Sequence, residues 1–159
     1  MYKEIIKYLS FLFMLIPLNC GFEVVNKSKI NNFSIQEIRT DGDKRISYRI
    51  KNNLLSYSKE NSQRNLIIDI NTKKTKSPKE KNIKNEITKY EINLDIEILI
   101  SFIGSGKNSQ KKNFKISGDY AVGRIHSTSI SNEKKLINSL VENITKKILD
   151  EIEININDI

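Results

Sequence analysis

The chain has 159 residues, the length of one domain, with 38% hydrophobic and 29% charged residues, enough apolar material for a modest core under a well-solvated surface. Its net charge of +8 favours anionic partners such as phosphates, lipid headgroups or nucleic acid, although its wealth of Lys, Asn and Ile equally fits a compositional bias. With 1 cysteine and 1 histidine, the sequence excludes an internal disulfide and a four-ligand structural zinc site, and it calls for no metal or cofactor.

Residues 1–19 read as an export leader. Lys3 and Lys7 give a net-positive start, and the apolar run from Tyr8 to Leu18 is broken only by Ser10 and Pro17. That run is short of the ~20 residues that span a bilayer and fits the apolar core of a signal peptide. Cys20 follows at once. A lone thiol behind such a run reads as a lipid acceptor, with cleavage just before it. An ordinary leader with an incidental cysteine, or an uncleaved anchor, is the other reading. The preceding Pro17-Leu18-Asn19 departs from the usual lipobox, in which Leu and a small residue come before Gly or Ala. Residues 20–32 are polar and irregular, a tether. Residues 33–159 then form one α+β domain.

Within that domain, FSIQEI (33–38) has strand character, with Phe33 and Ile35 on one face, and TDGD (40–43) is a turn. From Lys44 the period changes. Ile46, Ile50, Leu54 and Tyr57 form one stripe of a helix, with Asp43 as its N-cap. A second strand follows at 65–71, where Leu66, Ile68 and Ile70 alternate. Residues 72–89 hold seven lysines and Pro78, and are expected to form a long exposed hairpin loop.

The clearest signal is YEINLDIEILISFI (90–103). Tyr90, Ile92, Leu94, Ile96, Ile98, Ile100 and Phe102 share one face, and Glu91, Asn93, Asp95 and Glu97 the other, as in a strand buried on one side. Residues 104–110 make a hairpin turn. Phe114, Ile116, Tyr120 and Val122 then alternate in an antiparallel fourth strand. The last element is a helix over 131–152. Leu136, Leu140, Ile144 and Ile148 set its stripe, and Ile137, Val141 and Ile152 widen it. Ser131 is the expected N-cap, with Glu133 in the first turn and Lys146 and Lys147 towards the far end. The order β-α-β-β-β-α predicts a two-layer sandwich. A four-stranded, mostly antiparallel sheet carries both helices on its apolar face.

Chemistry has little to work with. His126 has no nucleophile in a recognisable motif; Ser127 and Ser129 suit turns and caps. Glu91, Asp95 and Glu97 have the spacing of any solvent-facing strand. GSGKNS lacks the spacing of a P-loop and joins two strands. The lysine-rich segment contains no aromatic between Tyr57 and Tyr90, so it makes no stacking platform for nucleic acid. The domain is expected to be non-enzymatic and to bind no nucleic acid.

Several features join in one resemblance. CGF (20–22), RISYRIKNNLL (45–55), TKYEINLDIEI (88–98) and NEKKLINSLVENITKKIL (132–149), in this order and spacing, resemble the LPS-assembly lipoprotein family (LptE). The resemblance covers most of the mature chain. It implies an outer-membrane lipoprotein held by lipid at Cys20 on the periplasmic side. Its domain would plug the β-barrel protein LptD, help that barrel assemble, and with it deliver lipopolysaccharide to the cell surface. Gly21 fits outer-membrane sorting, since Asp there is the common inner-membrane retention signal. By location, the family's lipopolysaccharide contacts fall on Lys81, Lys84, Lys89 and Arg124, which could meet lipid A phosphates as positive charges. The alternatives are an independent periplasmic lipoprotein adaptor or lipid-binding module of similar build, and a membrane-tethered hydrolase that would depend on His126.

Overall fold

A computed structural model describes residues 33–60, 62–104 and 109–157. The leader, Cys20 and the tether over 20–32 lie outside the described residues, as does most of the turn before the fourth strand. The elements run β1 (Ser34–Gly42), α1 (Lys44–Leu55), β2 (Asn65–Lys81), β3 (Ile87–Ile103), β4 (Gln110–Ala121) and α2 (His126–Asn157). This is the α+β order expected from the sequence. The strands form one mixed sheet in the order β1-β2-β3-β4. Only the β1–β2 pair is parallel, which requires the crossover that α1 supplies.

The core lies between the sheet and both helices. From β2 and β3 it takes Leu66, Ile68, Ile70 and every second residue from Ile92 to Phe102. From α1 it takes Ile46, Ile50 and Leu54, and from α2 Leu140, Val141, Ile144, Ile148 and Ile152. The strict alternation of β3 thus becomes one buried face. In β1 the pairing register shifts between Ile35 and Glu37, a bulge that turns Ile38 as well as Ile35 inward.

Asp43 is the N-cap of α1, as expected. Its Oδ1 accepts from the N–H groups of Arg45 and Ile46, both at 3.1 Å. The expected turn over 40–43 is tighter than the sequence implied, because β1 stays paired through Gly42. Gly42 has φ 83°, and a Cβ there would stand 1.9 Å from the Thr72 carbonyl oxygen. That oxygen also accepts from Asp43 N–H at 2.9 Å. Beneath it, Ser47 and Thr72 are both buried, their hydroxyls 2.7 Å apart. Ser47 also donates to the Asp41 carbonyl at 3.1 Å, so the polar atoms of this junction are paired.

Two expectations are corrected. The lysine-rich segment over 72–89 is not a long loop. β2 continues to Lys81 and β3 starts at Ile87, each 17 residues and therefore about 55 Å long. The turn between them is short. Asn82 Oδ1 accepts from the N–H groups of Lys84 (2.9 Å) and Glu86 (3.0 Å), and Asn85 takes a φ of 64°, which asparagine tolerates. Lysines give no apolar alternation, yet their backbones complete the ladder with β3, and Lys79 adds an ion pair to Glu91 at 3.6 Å.

The second correction concerns the last helix. It begins at His126 rather than Ser131, and its 32 residues make it about 48 Å long. Ser131 is therefore inside the helix and does not cap it. Val122, expected in the fourth strand, lies just past the end of β4 and is 37% exposed. Gly118 sits in β4 where the apolar alternation skips. A Cβ there would come 2.6 Å from Leu136 Cδ1, so its bareness lets α2 approach the sheet.

Candidate functional site

The helix-free face of the sheet is polar and laced with charge. Lys111 reaches Glu97 at 2.9 Å, Lys115 reaches Asp95 at 3.6 Å, and Lys79 reaches Asp119 at 2.9 Å as well as Glu91. Arg39 pairs with Glu37 at 2.8 Å and lies 3.7 Å from Asp69. The acidic residues of β3 thus lie between basic residues of its neighbours. Hydrogen bonding to Lys79 holds the Asp119 carboxyl below the usual carboxylate range and lifts the Lys79 ammonium.

The hairpin end carries the four residues singled out for lipopolysaccharide. Lys81 closes β2 and Lys84 lies in the turn, both exposed. Lys89 lies opposite Ala121 in the β3–β4 ladder, and Val122 N–H donates to the Thr88 carbonyl at 2.9 Å. This brings Arg124, which is exposed, to the same end of the sheet. The four are not equivalent: Lys89 Nζ is bound to Glu80 Oε1 at 2.9 Å, which neutralises much of its charge. Among the described residues, the side chains of Lys81, Lys84 and Arg124 have no ion pair. Exposed apolar residues stand among them: Ile83 at the turn is 103% exposed and Ile125 64%.

Sequence reasoning missed a clamp on the helix side. Tyr90 and Tyr120 are directly opposite in the β3–β4 register, and their rings stack 5.9 Å apart. Lys76 Nζ lies 4.5 Å from the Tyr90 ring centre and 5.3 Å from that of Tyr120. It donates to Glu133 Oε2 at 2.7 Å, and the Tyr120 hydroxyl donates to the same oxygen at 2.9 Å. Glu133 therefore joins α2 to β2 and β4 instead of serving the helix N-terminus. The alternation of Tyr90 and Tyr120 was visible, but their register depends on where the turn falls.

The Lys76 hydrogen bond holds the Glu133 carboxyl below the usual glutamate range, against the opposing effect of burial. Burial pulls the Lys76 ammonium down, but its bonds to Glu133 and Tyr120 prevail and lift it. Burial pushes the Tyr120 phenol up, and Glu133 adds to this. The depressed Glu133 value means its stabilisation is present at neutral pH and fades as pH falls below about 4.3. The raised Lys76 and Tyr120 values mean theirs is present up to the ordinary range of each group and lost above it. Glu133→Gln should cost about 1 kcal/mol at pH 7, discounted for the exposure of Lys76, and much less at pH 3. Denaturant unfolding at both pH values measures this; an equal loss at both contradicts the clamp.

His126 is the exposed first residue of α2. Among the described residues there is no group of three or more side chains able to hold a metal ion, and no helix long and apolar enough to cross a membrane.

No protein-family model matches the sequence, and no curated protein matches it. Solved structures do match the architecture. The rare lipoprotein B of Shewanella oneidensis is similar with a TM-score of 0.56 at 16% identity, covering 76% of this chain and 98% of that one. The shared property is the fold. The minor lipoprotein of Acinetobacter baumannii is similar at a TM-score of 0.56 and 12% identity, over 78% of this chain and 92% of its own. Lipoprotein B of Nitrosomonas europaea gives 0.58 at 10% identity, over 78% and 85%. These structural neighbours are lipoproteins, and the match takes in nearly the whole of each.

Proposed function

We propose that this chain is a non-enzymatic lipoprotein of the outer membrane, anchored through Cys20 on the periplasmic side. Its domain plugs the β-barrel LptD, assists the assembly of that barrel, and helps deliver lipopolysaccharide to the cell surface. The observation that supports this reading is the likeness in fold to rare lipoprotein B and two further lipoproteins, over 85–98% of their chains, found for a chain whose sequence resembles the LPS-assembly lipoproteins. Physical fit supports it. A plug in a water-filled lumen needs a compact body with a wettable surface, and the helix-free face, with its interleaved ion pairs, supplies one. Depletion of the chain in its own cell tests the assembly role. The folded barrel should fall while its unfolded form accumulates; an unchanged folded fraction contradicts the proposal.

The hairpin end favours a second reading, an independent lipid-binding module that needs no barrel. Unpaired cations around exposed Ile83 and Ile125 suit an anionic lipid surface in either case. Lipopolysaccharide binding by the purified chain should fall about tenfold when Lys81, Lys84 and Arg124 are together changed to Gln, and by little when the Lys89–Glu80 pair is neutralised at both partners (Lys89→Gln with Glu80→Gln), since that pair carries little net charge. Equal losses in the two variants would contradict this assignment.

A further inference from the structure

The β1-side edge of β2 is only partly covered. β1 pairs with β2 only as far as Gly42 opposite Thr72, where the chain turns away into α1. Beyond Thr72 no described strand lies along that side of β2, although β2 runs on to Lys81. Which atoms face the gap follows from one bond. The Thr72 carbonyl accepts from Asp43 N–H at 2.9 Å, so the Thr72 backbone points to the β1 side. Backbone direction alternates along a strand, so the N–H and C=O groups of Lys74 and Lys76 point the same way. Pro78 follows in the same parity and has no N–H to lose there, the place where a strand tolerates proline.

The helix side of this gap is a cleft of about 380 Å³ between the start of α1, the middle of β2 and α2. Arg45, Arg49, Lys74 and Lys134 line it, with Ile130 and Ile137 between them. Arg49 donates to Asn138 Oδ1. Among the described residues the only acid in the lining, Glu133, is already bound by Lys76 and Tyr120. Among the described residues, the side chains of Arg45, Lys74 and Lys134 have no hydrogen bond or ion pair. Ile130 is 54% exposed. An open strand edge with unpaired donors therefore runs beside a cleft that is cationic at its rim and apolar within.

The geometry points to strand addition: an extended peptide segment of a partner protein, acidic with apolar residues between its acids, extends the sheet along β2 at Lys74 and Lys76. Its carboxylates meet Arg45, Lys74 and Lys134, and its apolar side chains lie against Ile130 and Ile137. Charge selects the occupant. On the same edge of a second copy Lys76 is bound to Glu133 and Lys79 to Asp119 and Glu91, but among the described residues Lys73, Lys74 and Lys81 have no ion pair, so two such edges repel. The lysines and the proline that guard the edge against self-pairing leave it open to an acidic strand.

The test uses the full chain in detergent, without any barrel, so its failure is separate from failure of the plug reading. A fluorescent peptide of about eight residues, alternating Glu and Val, is titrated and its anisotropy followed. Saturable, salt-sensitive binding is expected, and none for the peptide with Lys in place of Glu. Lys74→Ala removes one cation and should weaken binding a few-fold. Lys74→Pro removes the same side chain and also the edge N–H, and should weaken it about tenfold more. Melting of both variants checks that they fold. If the proline variant does not, the N-methylated peptide, which keeps the side chains and loses backbone donors, takes its place and should bind about tenfold more weakly. Absence of binding, equal binding of the Lys peptide, or equal affinity in the comparison that removes the backbone donor overturns the proposal. Self-association abolished by Lys74→Pro would instead identify a second copy as the occupant, and overturn it too.

Discussion

Gly42→Ala is expected to destabilise the domain by about 3 kcal/mol and lower its midpoint of thermal unfolding by about 10 °C. Two costs combine at that position. The backbone φ is 83°, where an L side chain is strained, and the new Cβ would lie 1.9 Å from the Thr72 carbonyl oxygen. Relief requires β2 to move, and Thr72 is held in place by two bonds. Its carbonyl holds Asp43, and its hydroxyl lies 2.7 Å from that of Ser47 in a buried pair. Gly104→Ala separates the two costs. Gly104 has a similar φ of 79° but, among the described residues, nothing within 4 Å of an added Cβ, so only conformational strain of about 1 kcal/mol remains. Calorimetry of both variants checks this, and equal losses would show that the Thr72 contact yields at little cost.

Cys20→Ser should move the chain from the membrane fraction to the soluble periplasm with no change in its thermal midpoint. The large effect follows from acyl-chain transfer, about 0.8 kcal/mol per buried CH₂, which makes two or more chains a stable anchor and none at all a soluble protein. Stability should not move, because the domain buries a core of its own, which among the described residues runs from Phe33 to Ile156. Intact mass of the wild-type membrane fraction completes the experiment. A retained Met1, or a mature chain with an unmodified thiol at Cys20, contradicts lipidation.

How far the fold could be read from the sequence depended on whether apolar spacing marked each element. β3 and α1 were legible because Ile92 to Phe102 alternate strictly and Ile46, Ile50 and Leu54 recur at helical steps. Asp43 was legible as a cap because a carboxylate before such a stripe has a specific task. The outer half of β2 was not, because Lys73 to Lys81 bury almost nothing and are held in the sheet by backbone pairing to β3. The first turns of α2 were hidden for a similar reason: His126 to Ser131 carry no core stripe, and Ile130 is exposed.

Among the candidate contacts, Lys81, Lys84, Lys89 and Arg124 could be gathered at one end by hairpin logic alone. That Glu80 neutralises Lys89 could not, because two bulges between Pro78 and Lys81 set that pairing. The Lys76–Glu133 clamp and the cationic cleft needed the long-range register of β2, β3 and α2. Both lie where polar residues were read as solvated surface.

Affinity purification of the chain at native expression, from detergent-solubilised envelopes, decides whether it plugs a barrel. One large β-barrel protein should be recovered with it in an equimolar complex. Recovery of the chain alone, or with lipid but no stoichiometric barrel, would overturn the plug proposal.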